Sequence, residues 1–326
     1  MNKTELDELI TSTFKGLENN NFATIGMPDK PMWEAPLIGV AAGDDAYFDF
    51  LKEHIGDFHW SPIDAFLLKY GVKYGDANFS VQGNQISGKD NQVNVKNNQI
   101  GGKDNQISNP TNSFGTLVPE SANLRVISIA FPQTKETKET QINEHLCPSR
   151  NWIVSRGEWE PLLKTFSGRL VVAFENLGIR AVSIDLQPEF SVVITGPLGL
   201  ASTWSHRHYA HAAGLGTFGL SDGLITEKGK AVRFTSLIVE APIEITERQY
   251  TGPYDWCLFH KNGSCGKCIN RCPIQAISFD GHNKDTCLDY EDYFAEHYWP
   301  DGLERKDYIL GCGLCQVGIP CQDKRP

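Results

Sequence analysis

The chain has 326 residues, enough for two domains, and its 40% hydrophobic and 21% charged residues are those of a globular protein with a genuine core. Its formal net charge of −10 gives no help toward nucleic acid or an anionic membrane. No apolar run approaches the ~20 residues needed to span a bilayer, and Met1-Asn-Lys-Thr-Glu5 shows no secretory or twin-arginine pattern, so a cytoplasmic protein is expected.

Leu6, Leu9, Ile10, Phe14 and Leu17 share one face of a helix over residues 4–18, packed on the body. The apolar run Pro36–Gly43 leads to Asp44-Asp45 and a helix carrying Tyr47, Phe48, Leu51 and Ile55. Ser61-Pro62 starts another helix, with an N-cap and a proline at the first position, and Gly71 stops it. The intervening Asp57-Phe58-His59-Trp60-Ser61-Pro62 approximates the D-x-H-x-x-G of cobalamin domains in which histidine ligates cobalt. Proline stands where glycine belongs, and the match is read as accidental.

Residues 83–109 repeat Asn-Gln-Ile/Val at 84, 91, 98 and 105. One apolar residue per repeat, with abundant Asn and Gly, suits short hairpins or a surface excursion and not a coiled coil. Further on, Arg125–Phe131, Ala181–Ile184, Phe190–Ile194 and Thr235–Val239 read as strands, and Trp159–Leu177 as a helix. Strands and helices mix without strict βαβ alternation, so an α+β fold is expected. The expected regions are 1–120, 121–245 and 246–326.

The segment from Ser202 to Thr226 is rich in glycine and histidine. Gly214-x-Gly216-x-x-Gly219 matches a dinucleotide fingerprint in form, but its context does not. The residues before Gly214 are polar and helix-like, and those after Gly219 carry hairpin chemistry, Ser-Asp-Gly and Glu-Lys-Gly-Lys. His206, His208 and His211 suggest a metal, yet only 208 and 211 share a helix face. Residues lining a ligand cavity are the better reading, with glycines admitting a bulky ligand to the backbone.

Eight of the nine cysteines lie between Cys257 and Cys321, spaced C-x7-C-x2-C-x3-C-P, then C, then C-x2-C-x5-C. Double-cluster ferredoxins use C-x2-C-x2-C-x3-C-P, with the cysteine before proline serving the other cluster. Asn262 stands where the first cysteine belongs, and Cys257 substitutes if His260–Gly263 loops back. Crossing then assigns Cys257, Cys265, Cys268 and Cys321 to one [4Fe–4S] cluster, and Cys272, Cys287, Cys312 and Cys315 to the other. Zinc and a disulfide framework are the competing readings. Zinc sites seldom end in x3-C-P, and a disulfide framework suits a secreted chain.

The run Ser205-x-Arg207-His208-x-Ala-x-x-Ala-Gly-Leu-Gly216-x-x-Gly219, then Gly-Leu-Ile-Thr226, Val232-Arg233 and the cysteine module, resembles the epoxyqueuosine reductase and reductive dehalogenase superfamily over roughly residues 120–326. Trp33–Ala41 with Asp44-Asp45 resembles an anaerobe-type, epoxyqueuosine reductase-like branch. The resemblance implies a nitroreductase-like cobalamin-binding domain followed by a bacterial ferredoxin-like double-cluster domain. It also implies base-off cobalamin against Ser202, Ser205, Arg207 and Gly214-Leu215-Gly216-Thr217-Phe218-Gly219. The family's catalytic aspartate segment maps near Leu200, but Thr195–Trp204 contains no acid.

The expected function is an oxygen-sensitive, corrinoid-dependent oxidoreductase with His206, Tyr209 and His208 as candidate proton donors. An external low-potential electron donor and a small-molecule substrate are the expected partners. Nucleic acid is read as unlikely, because acidic residues outnumber basic ones, 40 to 30. The alternative is a low-potential electron-transfer or corrinoid-activating protein with no substrate of its own.

Overall fold

The computed structural model describes residues 1–71, 119–195, 199–303 and 311–326. The repeats at 83–109 lie outside them. Helix α1 (Lys3–Lys15) opens with a capping box between Asn2 and Glu5 and buries Leu6, Ile10 and Phe14. Strand β1 (Leu37–Ala42) leads to α2 (Ala46–Ile55), capped by the Asp45 carboxylate, and α3 (Pro62–Tyr70), capped by Ser61 and Asp64. Strand β2 (Leu124–Pro132) precedes α4 (Lys135–Ile142), α5 (Arg150–Gly157), α6 (Trp159–Asn176) and β3 (Ala181–Ser183).

A hairpin of β4 (Val192–Thr195) and β5 (Gly199–Ser202) comes next, then α7 (His206–Ala212). A second hairpin, β6 (Gly216–Phe218) with β7 (Leu224–Thr226), leads to β8 (Val232–Glu240). The central sheet runs β1-β2-β8-β3 with every pair antiparallel. Strand alternation divides its core. Ile127, Ile129 and Phe131 meet α1 and α6, where Phe131 packs edge-on against Phe166 at 5.2 Å. Leu124 and Val126 meet α2, α3 and α7 through Phe48, Phe66 and Tyr209.

The N-terminal region therefore does not stand apart as 1–120. Its strand β1 pairs with β2 along Leu37–Ala42, and α1 shares the α6 core. Periodicity identifies the helix, but strand partners are set by tertiary pairing.

The cysteine module comprises α8 (Leu258–Asn262), α9 (Lys267–Arg271), a small β9 (Ile277–Ser278) and β10 (Gly281–His282) hairpin, and α10 (Lys284–His297). It is tied to the body by hydrogen bonds. Arg271 donates to the carbonyls of Gln141 (3.2 Å), Ile142 (3.3 Å) and Leu314 (3.2 Å), and Gln141 Nε2 donates to the Cys312 carbonyl at 2.9 Å. Among the described residues, no helix is long and apolar enough to cross a membrane.

Candidate functional site

Cys257, Cys265, Cys268 and Cys321 line one cavity, walled otherwise by apolar groups such as Leu220, Ile225 and Phe259. Cys257 is the N-cap of α8, and the chain reverses at Gly263, whose φ of +71° is the left-handed conformation glycine favours. Asn262 Oδ1 accepts from the Ser264 amide at 3.0 Å, so this residue shapes the reversal. Cys257 thus shares this cavity with the other three cysteines.

Of the other four cysteines, Cys287 interacts with Cys272, Cys312 and Cys315. Burial first, then Glu291, Cys315 and Cys272, pushes the Cys287 thiol up to about 12. Burial likewise holds the Cys312 thiol well above its usual range, with Cys315, Glu291 and Cys287 adding to it. In the first cavity burial pushes Cys321 up to about 11, Lys230 opposes, and Cys257, Cys268 and Cys265 reinforce. The Ala276 amide donates to Cys272 Sγ at 3.2 Å, the kind of contact that tunes an iron–sulfur centre. Each set supplies the thiols, in number and kind, that a four-thiolate cluster takes.

A second cavity, of about 610 Å³, adjoins the first, and Lys230 lines both. Hairpin β4–β5, the start of α7 and strand β8 supply Leu200, Ser202, His206, Arg207, His208, Arg233 and Phe234. His206 Nε2 lies 3.1 Å from Asp185 Oδ1, while its Nδ1 meets Ser236 Oγ at 2.8 Å. Asp185 also accepts from the Thr235 hydroxyl. His208 Nδ1 meets Ser205 Oγ at 2.6 Å, and burial followed by Arg207 holds this imidazole down to about 3, so it is neutral at physiological pH.

His59 also lines this cavity, 1% exposed. Its Nδ1–H donates to the Ser202 carbonyl at 2.9 Å, which leaves Nε2 as a lone pair with no partner among the described residues. An imidazole anchored through one nitrogen with the other unpaired is the arrangement ligand-facing histidines use.

The structure thus brings Ser202, Ser205, Arg207, His206 and His208 together on one wall. Tyr209 is elsewhere. Its ring is fully buried, stacked 3.4 Å from Trp204, and its hydroxyl donates to the Trp60 carbonyl, so it serves packing and is not placed to deliver a proton. The three histidines of α7 do not converge either, since His211 Nδ1 binds the Gly216 carbonyl at 2.8 Å and its ring stacks on Tyr250.

Gly214-Leu215-Gly216-Thr217-Phe218 also lies off the large cavity, in and before a buried hairpin strand. A Cβ on Gly216 would sit 2.0 Å from the Ile225 carbonyl, so strand pairing, and not a ligand, demands that glycine. Gly219 lines the four-cysteine cavity instead.

Asp185, His59 and Lys230 escape sequence reasoning as site residues. Asp185 carries no motif, and its signal is its bond to His206. Glu-Lys-Gly-Lys reads only as a turn, and the proline after His59 makes its D-x-H-like run look accidental.

The fold and its cysteines define a protein with a double-cluster iron–sulfur domain beside a ligand cavity. Residues 261–318 match the family described as "4Fe-4S double cluster binding domain". An epoxyqueuosine reductase of Leadbetterella byssophila is 31% identical over 116 residues, 34% of this chain and 35% of that protein. One from Lactococcus garvieae is 29% identical over 197 residues, 60% of this chain and 50% of that protein. Similar solved structures include an epoxyqueuosine reductase with an epoxyqueuosine-modified tRNA-Tyr stem loop, at TM-score 0.38 and 20% identity over 61% of this chain and 48% of that one. A catabolic reductive dehalogenase gives TM-score 0.42 and 18% identity over 64% and 27%.

Over part of its length the chain is similar to epoxyqueuosine reductases, and its cysteine module matches a double-cluster iron–sulfur domain. It spans about a third to a half of the length of the curated relatives it matches.

These relatives correct the expectation of a small-molecule substrate with nucleic acid an unlikely partner. The curated relatives are epoxyqueuosine reductases, and one solved example holds a tRNA stem loop. The error has a physical source. Net charge is summed over the whole chain, whereas folding gathers Arg156, Arg207, Arg233, Lys230 and Lys284 around one cavity.

Proposed function

We propose that this chain is a corrinoid-dependent iron–sulfur reductase acting in the large cavity, and that residues 121–245 form a nitroreductase-like cobalamin domain. One observation carries the reading. Lys230 lines both the four-cysteine cavity and the large one, so a redox centre would abut a ligand-sized space. A protein that only relays electrons has no need of that space.

The unpartnered Nε2 of His59 and the cationic wall fit cobalamin, which brings amide N–H donors and a phosphate. When bound, the corrinoid would supply a reducible cobalt centre, fed by iron–sulfur clusters that carry single electrons. Cys257, Cys265, Cys268 and Cys321 would hold one cluster, and Cys272, Cys287, Cys312 and Cys315 the other.

Ser202, Ser205 and Arg207 would position ligand on the wall of α7. His206 would hold the proton consumed in reduction, with Asp185 keeping the imidazole oriented. Asp185 would thereby stand in for the acid missing from 195–204. His208, neutral and tied to Ser205, would offer hydrogen bonds instead of an ionised acid. Thiolate-held clusters persist in a reducing compartment, which fits the cytoplasm. The substrate to test first is epoxyqueuosine on tRNA, because the relatives carry that name and the cavity wall suits phosphates.

The test is anaerobic reconstitution with iron, sulfide and cobalamin, followed by gel filtration and a visible spectrum. Co-eluting corrinoid with a base-off spectrum is expected, and protein that retains none would defeat the reading. For the substrate, the gene is expressed in cells lacking epoxyqueuosine reductase. Restored queuosine in tRNA identifies the substrate, and its absence from cells containing corrinoid-loaded protein removes that substrate.

A further inference from the structure

We infer that Lys230 sets a positive charge beside the cluster held by Cys257, Cys265, Cys268 and Cys321, which raises that cluster's reduction potential at the wall facing the large cavity. The inference rests on the two-cluster reading of the cysteines. Lys230 is 3% exposed, yet among the described residues its ammonium meets no carboxylate. It donates instead to a neutral hydroxyl, Ser221 Oγ. A buried cation is costly unless opposite charge lies near, so the site lacks a counter-charge.

Its position is built in. The turn Thr226–Gly229 is closed by paired backbone bonds of 2.9 Å, and the Lys230 amide donates to the Cys321 carbonyl at 2.8 Å. Gly229 adopts φ +81°, and a Cβ there would fall 2.1 Å from the Gln322 carbonyl, so the turn is pressed onto the C-terminal tail. The side chain then runs past Gly223, where a Cβ would lie 2.5 Å from Lys230 Cε. Backbone and side chain are held from both ends.

The charge faces one cysteine set, since Lys230 lines the cavity of Cys257, Cys265, Cys268 and Cys321. Four-thiolate clusters bring the missing negative charge, and each added electron makes them more negative. A nearby cation in a low-dielectric interior stabilises that reduced form.

The experiment is a potentiometric titration of the reconstituted protein, read by electron paramagnetic resonance, with Lys230→Met and Lys230→Arg. Lys230→Met should shift the potential of the cluster held by Cys257, Cys265, Cys268 and Cys321 to more negative values at unchanged iron content, whereas Lys230→Arg should stay near wild type. An unchanged potential of that cluster in Lys230→Met, or equal shifts in both variants, would overturn the inference. If Lys230→Met assembles no clusters, Lys230→Gln replaces it under the same criterion. Wild-type protein without iron and sulfide would instead overturn the cluster reading beneath it.

Discussion

His206 Nε2 stands 3.1 Å from Asp185 Oδ1, joining the start of α7 to the turn after β3 on the wall of the large cavity. General-acid groups typically contribute about 10²–10⁴-fold to a rate. Asp185→Asn and His206→Gln should each lower turnover by about that range while retaining corrinoid. Single-turnover rates beside corrinoid content check this. Turnover close to wild type in both variants would show that the proton comes from elsewhere.

The two thiol sets should separate by mutation. Cys257→Ser should cost about half the iron and leave the cluster held by Cys272, Cys287, Cys312 and Cys315, and Cys287→Ser should do the reverse. Iron analysis with electron paramagnetic resonance distinguishes the residual spectra. Identical residual signals from the two variants would contradict the partition.

Burial first, and then Arg207, holds His208 down to about 3, against the ordinary histidine value of 6.5. Between those values the unfolded chain binds a proton that the folded chain refuses. Stability is therefore fully present above the higher value and falls as pH drops below it. The urea midpoint should decrease from about pH 7.5 to about pH 5.5, less steeply in His208→Gln. Burial lowers His59 and His211 in the same direction, so the slope should flatten and not vanish. Equal slopes in variant and wild type would count against a neutral His208.

Gly216→Ala should destabilise the hairpin irrespective of any ligand, because its Cβ would lie 2.0 Å from the Ile225 carbonyl. Overpacking of this kind costs about 1–3 kcal/mol or more. Thermal unfolding of the protein without corrinoid is the measurement. A loss of corrinoid affinity with unchanged stability would restore the view that this glycine admits a cofactor.

The chain by itself discloses what local chemistry encodes. Its cysteine spacing announces four-thiolate chemistry, because the ligands to a cluster sit largely in short loops. Helices α1, α3 and α6 are legible from apolar periodicity, and α3 also from its Ser61-Pro62 start and Gly71 stop. Tertiary structure decides everything that depends on distant segments meeting. Only folding sets Asp185 against His206, aims the Lys230 turn at the C-terminal tail, and turns Tyr209 into the core. Gly216 illustrates the reason. A glycine in sequence states that space is short, but only the neighbouring strand shows that the Ile225 carbonyl occupies it. The cationic cavity is the same lesson in charge, since an acidic total is compatible with basic side chains converging on one wall.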